Sequence, residues 1–252
     1  ALGTLGDASV VPVLTQAAAA AKGDERKMAV QSLIRLKGKE IAPALLAHLA
    51  RAEEAGQLVL LEVLRHRREP SAVTGLQKIA AEGKGAAREN ALKALAVTAD
   101  GSFLAAATTL LAQAQSDDEC RLAADVVAAC AKQVANADER AQPVLAALSE
   151  AKGAGRVALI GTLPSVGGPK ALAAAREALR DQDEAIRIAT IRALSDWPDS
   201  SAAGDLLGVT KKAPGDAQGI LAFRGYVKLL ALPSDRPAAE TVRLYQEGLK
   251  VA

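Results

Sequence analysis

The side chains best suited to chemistry are few and far apart in this sequence of 252 residues. Its two histidines, His48 and His66, have no neighbouring glutamate in a His-Glu or H-E-x-x-H pattern, which argues against a zinc hydrolase or an iron-dependent hydroxylase. Two acidic runs, 117–119 and 138–139, lack the spacing of a calcium-binding loop and stand where carboxylates stabilise helix starts. The sequence therefore predicts no metal site.

Two glycine-containing segments invite a nucleotide-binding interpretation. Residues 153–158 read Gly-Ala-Gly-Arg-Val-Ala and formally fit a G-x-G-x-x-A fingerprint, but they follow a predicted helix, so the required βαβ context is absent. Residues 167–170 lack the spacing of a phosphate-binding loop. We therefore predict no catalytic residue and no cofactor, and we expect that the chain is not an enzyme.

Cys120 and Cys130 fall in one predicted helix, about 15 Å apart along its axis, so they cannot form a disulfide with each other. Free thiols favour a reducing compartment, although buried cysteines occur in any compartment. No apolar run is long enough to span a membrane, and no signal peptide opens the chain. We expect a soluble protein, cytoplasmic or periplasmic. Because the chain begins at Ala1 and contains one methionine, Met28, we also expect an excised segment of a larger protein.

The elements that must position these side chains are predicted to be helices. The chain has 58 alanines and only five aromatic residues, and alanine has the best intrinsic helix propensity, whereas strands favour aromatic and β-branched residues. Lysine and arginine total 31 against 29 acidic residues, which leaves a formal net charge of +2. This balance argues against a polyanion-binding protein.

An internal repeat organises the chain. Seven segments with apolar residues at helical spacing begin 30 to 37 residues apart, at Lys27, Gln57, Arg88, Arg121, Arg156, Arg187 and Arg224. A second helical stretch precedes each of them, at 9–21, 40–52, 71–81, 102–114, 137–151, 170–179 and 202–212. A further such stretch covers 238–249, and a truncated copy occupies 1–7. This spacing predicts a repeat of two helices.

The recurrence resembles the HEAT-repeat family, of the short bacterial kind. Residues 1–14 and 183–194 carry the resemblance most clearly. It implies an all-α fold, a right-handed α–α superhelix (α-solenoid) of about seven to eight helix pairs, and a single array over 1–252. Copies five and seven are rich in glycine, from which we expect looser or re-angled stacking there.

Six of the seven copies carry a basic residue at the start of the second helix: Lys27, Arg88, Arg121, Arg156, Arg187 and Arg224. Cations are unfavourable near a helix N-terminus without an acid, so we interpret these residues as a structural ladder paired with carboxylates of the inter-helix turns. The dense run Arg65-His66-Arg67-Arg68 is interpreted as a solvated helix end. A site for a phosphate or an acidic partner is the alternative there.

The predicted function is a non-enzymatic scaffold that presents a concave helical surface to a protein of unknown identity. Candidate residues of that partner-binding face are Gln31, Arg35, Glu62, Lys93, Asp125, Arg192 and Lys228. The alternative is an accessory HEAT-like domain of a multidomain bacterial enzyme whose catalytic domain lies outside the chain. A HEAT-fold nucleic-acid-binding protein or lyase is a weaker alternative, because the face lacks a basic stripe and Trp197 is interpreted as a packing residue. Apolar residues near both ends predict possible self-association.

Overall fold

The computed structural model describes residues 6–251, and every regular element in that range is helical. Fifteen α-helices are accompanied by four single-turn 3-10 helices. In chain order the α-helices are α1 (Val11–Ala20), α2 (Gly23–Arg35), α3 (Ile41–Leu49), α4 (Glu54–Arg67), α5 (Val73–Glu82), α6 (Gly85–Thr98), α7 (Leu104–Ala112), α8 (Asp117–Ala131), α9 (Ala137–Glu150), α10 (Gly153–Val166), α11 (Gly168–Ala178), α12 (Glu184–Ser195), α13 (Ala203–Lys212), α14 (Ala217–Leu230) and α15 (Ala238–Leu249).

Short turns join these helices into seven consecutive pairs, from α1 with α2 to α13 with α14, and α15 follows as an unpaired helix. We call the odd-numbered members first helices and the even-numbered members second helices. The predicted all-α solenoid of about seven to eight helix pairs is confirmed. Of the truncated copy predicted over 1–7, residues 1–5 lie outside the described residues.

The second helices form a continuous row. Each packs against the second helix of the next pair, from α2 on α4 to α12 on α14, whereas successive first helices pack less closely. Closer packing along one row curves such an array, with the second helices on the inner side. A fully buried leucine or valine lies eleven residues after the N-cap in six successive second helices: Leu33, Leu64, Leu95, Val127, Leu163 and Leu194. Burial of each contributes about 2 kcal/mol.

Three turns inside the pairs share one local conformation. Lys22-Gly23, Lys84-Gly85 and Lys152-Gly153 each place the glycine at a φ between 51° and 59°. This is a left-handed conformation that glycine adopts without the steric cost of a Cβ. Three other second helices begin at a side-chain cap that accepts a backbone N–H: Ser116 for α8, Asp183 for α12 and Asp216 for α14.

The glycine-rich copies are closely packed. A Cβ on Gly155 of α10 would lie 3.1 Å from the carbonyl oxygen of Ala112, and one on Gly225 of α14 would lie 2.0 Å from Oγ of Ser195 in α12. These glycines let neighbouring elements approach each other closely. The looser stacking expected as one alternative for copies five and seven is therefore wrong at these two positions, whereas the re-angled stacking stays a prediction.

Candidate functional site

The repeated basic residues lie about one turn inside the second helices rather than at their first residue. Three of them follow the N-cap by four residues: Arg88, Arg156 and Arg187. In α2 the residue four after the N-cap is Arg26, whereas the repeat pattern in the sequence was aligned on Lys27. The Nη2 of Arg26 lies 2.5 Å from Oε2 of Glu62 in α4. The pattern Lys-Gly-x-x-Arg, shared by 22–26, 84–88 and 152–156, contains the signal that identifies it.

Arg88 and Arg156 connect a second helix to the following repeat. The Nε of Arg88 lies 3.1 Å from Oε2 of Glu119 in α8, and both side chains are nearly buried, 7% and 12% exposed. The same carboxylate oxygen accepts the backbone N–H of Gln115 at 2.9 Å. The Nη2 of Arg156 lies 2.8 Å from Oδ2 of Asp181, in the turn before α12. These pairs fix the offset between adjacent helix pairs.

The other ladder residues make more local contacts. Arg187 donates to the carbonyl oxygens of Asp181 and Gln182, both at 2.8 Å, in the turn before its own helix. Two others form exposed ion pairs with an acid three residues earlier: Lys27 with Asp24 and Arg121 with Asp118. Arg224 follows its N-cap by eight residues and is exposed on α14, so it does not occupy the place predicted for it.

Five of the seven candidate face residues occupy equivalent places in their helices. Each lies nine residues after the N-cap of a second helix: Gln31, Glu62, Lys93, Asp125 and Arg192. Arg35 and Lys228 lie about one turn further along α2 and α14. All seven are exposed or half-buried, so the structure places them along one accessible ridge of the second-helix row.

A groove crosses this ridge where the C-terminal halves of α4 and α6 meet α8. It has a volume of about 400 Å³. We define the groove by the residues that line it: Arg65, His66, Arg68, Lys93, Ala96, Val97, Leu122 and Asp125. Two predicted face residues, Lys93 and Asp125, are thus brought together with part of the basic run on α4, a combination that the sequence analysis did not predict.

The basic run divides into two roles. Arg67 turns towards α2, where its Nη1 donates to the carbonyl oxygens of Ile34 at 2.9 Å and Leu36 at 2.7 Å. It also forms a 2.7 Å ion pair with Glu69, and its side chain is 11% exposed. Arg68 ends the helix in a left-handed conformation with a φ of 52°. This reversal separates the Arg68 side chain from that of Arg67 and leaves it in the groove.

The remaining residues considered for chemistry are the two cysteines and Trp197. Burial, with a smaller contribution from Asp100, raises the pKa of the Cys130 thiol to about 11, and burial is also the main cause that raises the pKa of Cys120. Trp197 is buried after α12. Within 6–251, no group of three or more histidine, cysteine or acidic side chains is arranged to hold a metal ion. None of the helices described is long and apolar enough to cross a membrane.

Comparison with protein families identifies part of the array directly. Residues 141–219, from α9 to the first turn of α14, match the family model of HEAT repeats. This segment contains second helices α10 and α12 and the first three residues of α14. The segment belongs to the HEAT-repeat family, and the resemblance predicted from the sequence is confirmed.

Known proteins give more distant similarities. Comparison with curated protein sequences gives no significant match. Among solved structures, an engineered protein from a structural genomics consortium is 16% identical over 96% of this chain and 78% of its own, with a TM-score of 0.45. Human deoxyhypusine hydroxylase in complex with glycerol is 15% identical over 99% of this chain and 98% of its own, with a TM-score of 0.37. Neither similarity is high enough to bear on function.

Proposed function

We propose that this chain is a non-enzymatic scaffold that binds a partner protein on its row of second helices, with the groove at the centre of the contact. The observation that carries the proposal is the ridge of accessible residues that lie nine after the N-cap in five of the second helices. A groove with both charged and apolar walls crosses this ridge. A stacked array of helix pairs offers such a surface continuously over several repeats.

The charge pattern along the ridge favours a protein as the partner. Glu62, Lys93 and Asp125 alternate in sign over three successive second helices, and Arg192 follows further along. A phosphate backbone would require basic side chains at most of these places. Alternating charges suit a protein surface, on which acidic and basic residues are interspersed, and they orient the partner more than they raise its affinity.

Affinity capture from extracts of the source cells tests this proposal. We compare the wild type with Lys93→Glu/Arg192→Glu on the ridge and with Lys78→Glu/Lys212→Glu, which makes the same charge change on exposed residues of first helices α5 and α13. We expect a nuclease-resistant set of proteins to be retained by the wild type and the control pair, and lost with the ridge pair. Equal capture by all three, or capture that nuclease abolishes, would contradict the proposal.

A further inference from the structure

The groove is locally basic in a chain whose charges otherwise nearly cancel. Arg65 and Arg68 contribute two permanent positive charges from the end of α4, and His66 adds an imidazole. Lys93 contributes a third positive charge from α6, where its Nζ also lies 3.7 Å from Oε2 of Glu89 in a half-exposed ion pair. Asp125 on α8 is the one acid among the lining residues. Because the chain as a whole carries only +2, this excess is a local feature rather than a general property of the surface.

The two arginines of the groove differ from the arginine between them. Arg67 uses its guanidinium on backbone carbonyls of α2 and on Glu69, which accounts for it structurally. Among residues 6–251, neither Arg65 nor Arg68 forms an ion pair with an acid within 4.0 Å. The fold therefore uses one arginine of the run for packing and leaves two available to a ligand.

The rest of the groove is apolar. Ala96 and Val97 of α6 lie between the basic wall and Leu122 of α8, and the Val97 side chain is 41% exposed. Val97 is one of few large apolar side chains that the described chain leaves this accessible. An apolar surface beside arginines fits a segment that has both carboxylates and an apolar side chain, because each would find a complementary contact.

We propose that the groove binds an acidic peptide segment of the partner protein. Carboxylates of the segment pair with Arg65, Arg68 and Lys93, and an apolar side chain of the segment packs on Val97. Asp125, on the opposite wall, accepts a hydrogen bond from the segment and thereby orients it. This inference rests on the proposed scaffold function and names the chemistry of its partner.

A nucleic acid fits the groove less well than an acidic peptide. The basic residues are confined to the ends of α4 and α6, while Glu62 and Glu89 lie one turn earlier on the same helices and would repel a phosphate backbone that continued along them. No phenylalanine, tyrosine or tryptophan lines the groove to stack on a base. Binding through phosphates is therefore treated as a competing outcome of the experiment.

The experiment measures fluorescence anisotropy of a fluorescein-labelled peptide, Asp-Glu-Glu-Leu-Asp-Glu-Asp, titrated with the intact chain at about 0.15 M salt. Arg65→Gln/Arg68→Asn neutralises the groove, and the asparagine suits the left-handed backbone at position 68. Lys78→Gln/Lys212→Gln removes two positive charges from exposed residues of first helices α5 and α13, outside the second-helix face, and serves as the control. Circular dichroism verifies that both variants fold.

We expect the groove pair to weaken peptide binding about tenfold and the control pair to change it less than about twofold, because only the first removes the paired charges. Replacing the leucine of the peptide with serine weakens binding to the wild type about fivefold, since an apolar contact is lost. Equal effects of the two pairs, or of the two peptides, would overturn the proposal. So would a labelled DNA duplex that binds more tightly than the peptide through the same arginines.

The failure of this inference can be distinguished from failure of the scaffold function. If the peptide does not bind but the capture experiment still depends on Lys93 and Arg192, the second-helix face is the binding surface and the acidic-segment proposal is wrong. If the capture also fails to depend on those residues, both proposals are wrong.

Discussion

Single arginines decide how adjacent repeats are joined, and Arg88 is the clearest case. Its guanidinium is nearly buried against Glu119 and also donates to the carbonyl oxygens of Ala81 and Gln113. Removing one partner of a buried ion pair leaves the other charge uncompensated. We expect Arg88→Met to lower the free energy of unfolding by about 3 kcal/mol, measured by urea denaturation.

Arg121 provides the matched control for this prediction. It also pairs with an acid, Asp118, but the two side chains are 63% and 73% exposed. An exposed pair contributes little, so Arg121→Met should change the free energy of unfolding by less than about 0.5 kcal/mol. Similar effects of the two substitutions would show that burial of the Arg88 pair does not hold the repeats together.

The carboxylate of Asp100 makes the stability of the fold depend on pH in the acidic range. Its carboxylate accepts hydrogen bonds from the hydroxyl of Ser102 at 2.6 Å and from the Ser102 N–H at 2.9 Å, and these lower its pKa below 3.8. Its contribution to stability is therefore present above pH 3.8 and is lost as the pH falls through the lowered pKa. We expect Asp100→Asn, which keeps a capping oxygen without titrating, to show a smaller fall of Tm from about pH 5 to about pH 2. Parallel pH profiles for the two proteins would contradict this.

Residue-level roles were only partly predictable from the sequence. The pairing of Arg88 and Arg156 with carboxylates follows from the cost of a cation near a helix N-terminus. Lys27 pairs with Asp24, as expected for the ladder. Arg26 was overlooked and Arg224 was misplaced, because a shift of one residue or one turn is invisible to a pattern of apolar residues. The division of the basic run depends on the left-handed backbone at Arg68, which no propensity rule assigns to arginine.

At the scale of the helix, two glycines provide a matched test. Gly161 of α10 and Gly225 of α14 both lie nine residues after their N-caps. A Cβ on Gly161 meets nothing within 4 Å, whereas one on Gly225 would lie 2.7 Å from Cβ of Ser195. We expect Gly161→Ala to raise the free energy of unfolding by about 0.5–1 kcal/mol through helix propensity. We expect Gly225→Ala to lower it by about 1–3 kcal/mol, because α12 must shift.

Urea denaturation of the two variants measures both changes in the free energy of unfolding, which we expect to be opposite in sign. A lower free energy of unfolding for Gly161→Ala would contradict the prediction that helix propensity decides the effect at this exposed position. Gly225→Ala without cost would show that α12 and α14 are not in close contact.

The helices themselves were well predicted. Most first helices begin and end within about two residues of the expected bounds, because apolar periodicity and turn residues mark them locally. The exception is α3, which ends at Leu49, three residues before the expected Ala52. Residues 9–10 differ: they form a 3-10 turn capped by Asp7 before α1 begins at Val11. Close approach at Gly225 could not be predicted, since it depends on which residues of α12 face α14.

At the scale of the whole molecule, stacked pairs make an elongated array. Seven pairs stacked about 9 Å apart form an elongated molecule. Its radius of gyration should therefore exceed the value of about 18 Å expected for a globule with the same number of residues. We expect a clearly larger radius of gyration from small-angle X-ray scattering of the monomer at low concentration. A value at or below that of the globule would contradict the stacking.

The repeat made the architecture predictable from the sequence, but it did not make the candidate groove predictable. Repetition identifies which helices are equivalent, and so it placed Lys93 and Asp125 on one face. The groove depends on three successive repeats at once, including a backbone reversal at Arg68 and an exposed valine at position 97. The proposed specificity depends on features that differ between repeats, and a repeat pattern does not identify such features.

The proposal that the row of second helices is the partner-binding surface can be tested by site-specific photo-cross-linking. A photoreactive amino acid is placed at Val97 in the groove and, as the control, at Gln77 on the exposed side of first helix α5. We expect a discrete protein adduct from position 97 in source cells and none from position 77. Adducts from position 77 alone, or equal adducts from both positions, would contradict the proposal.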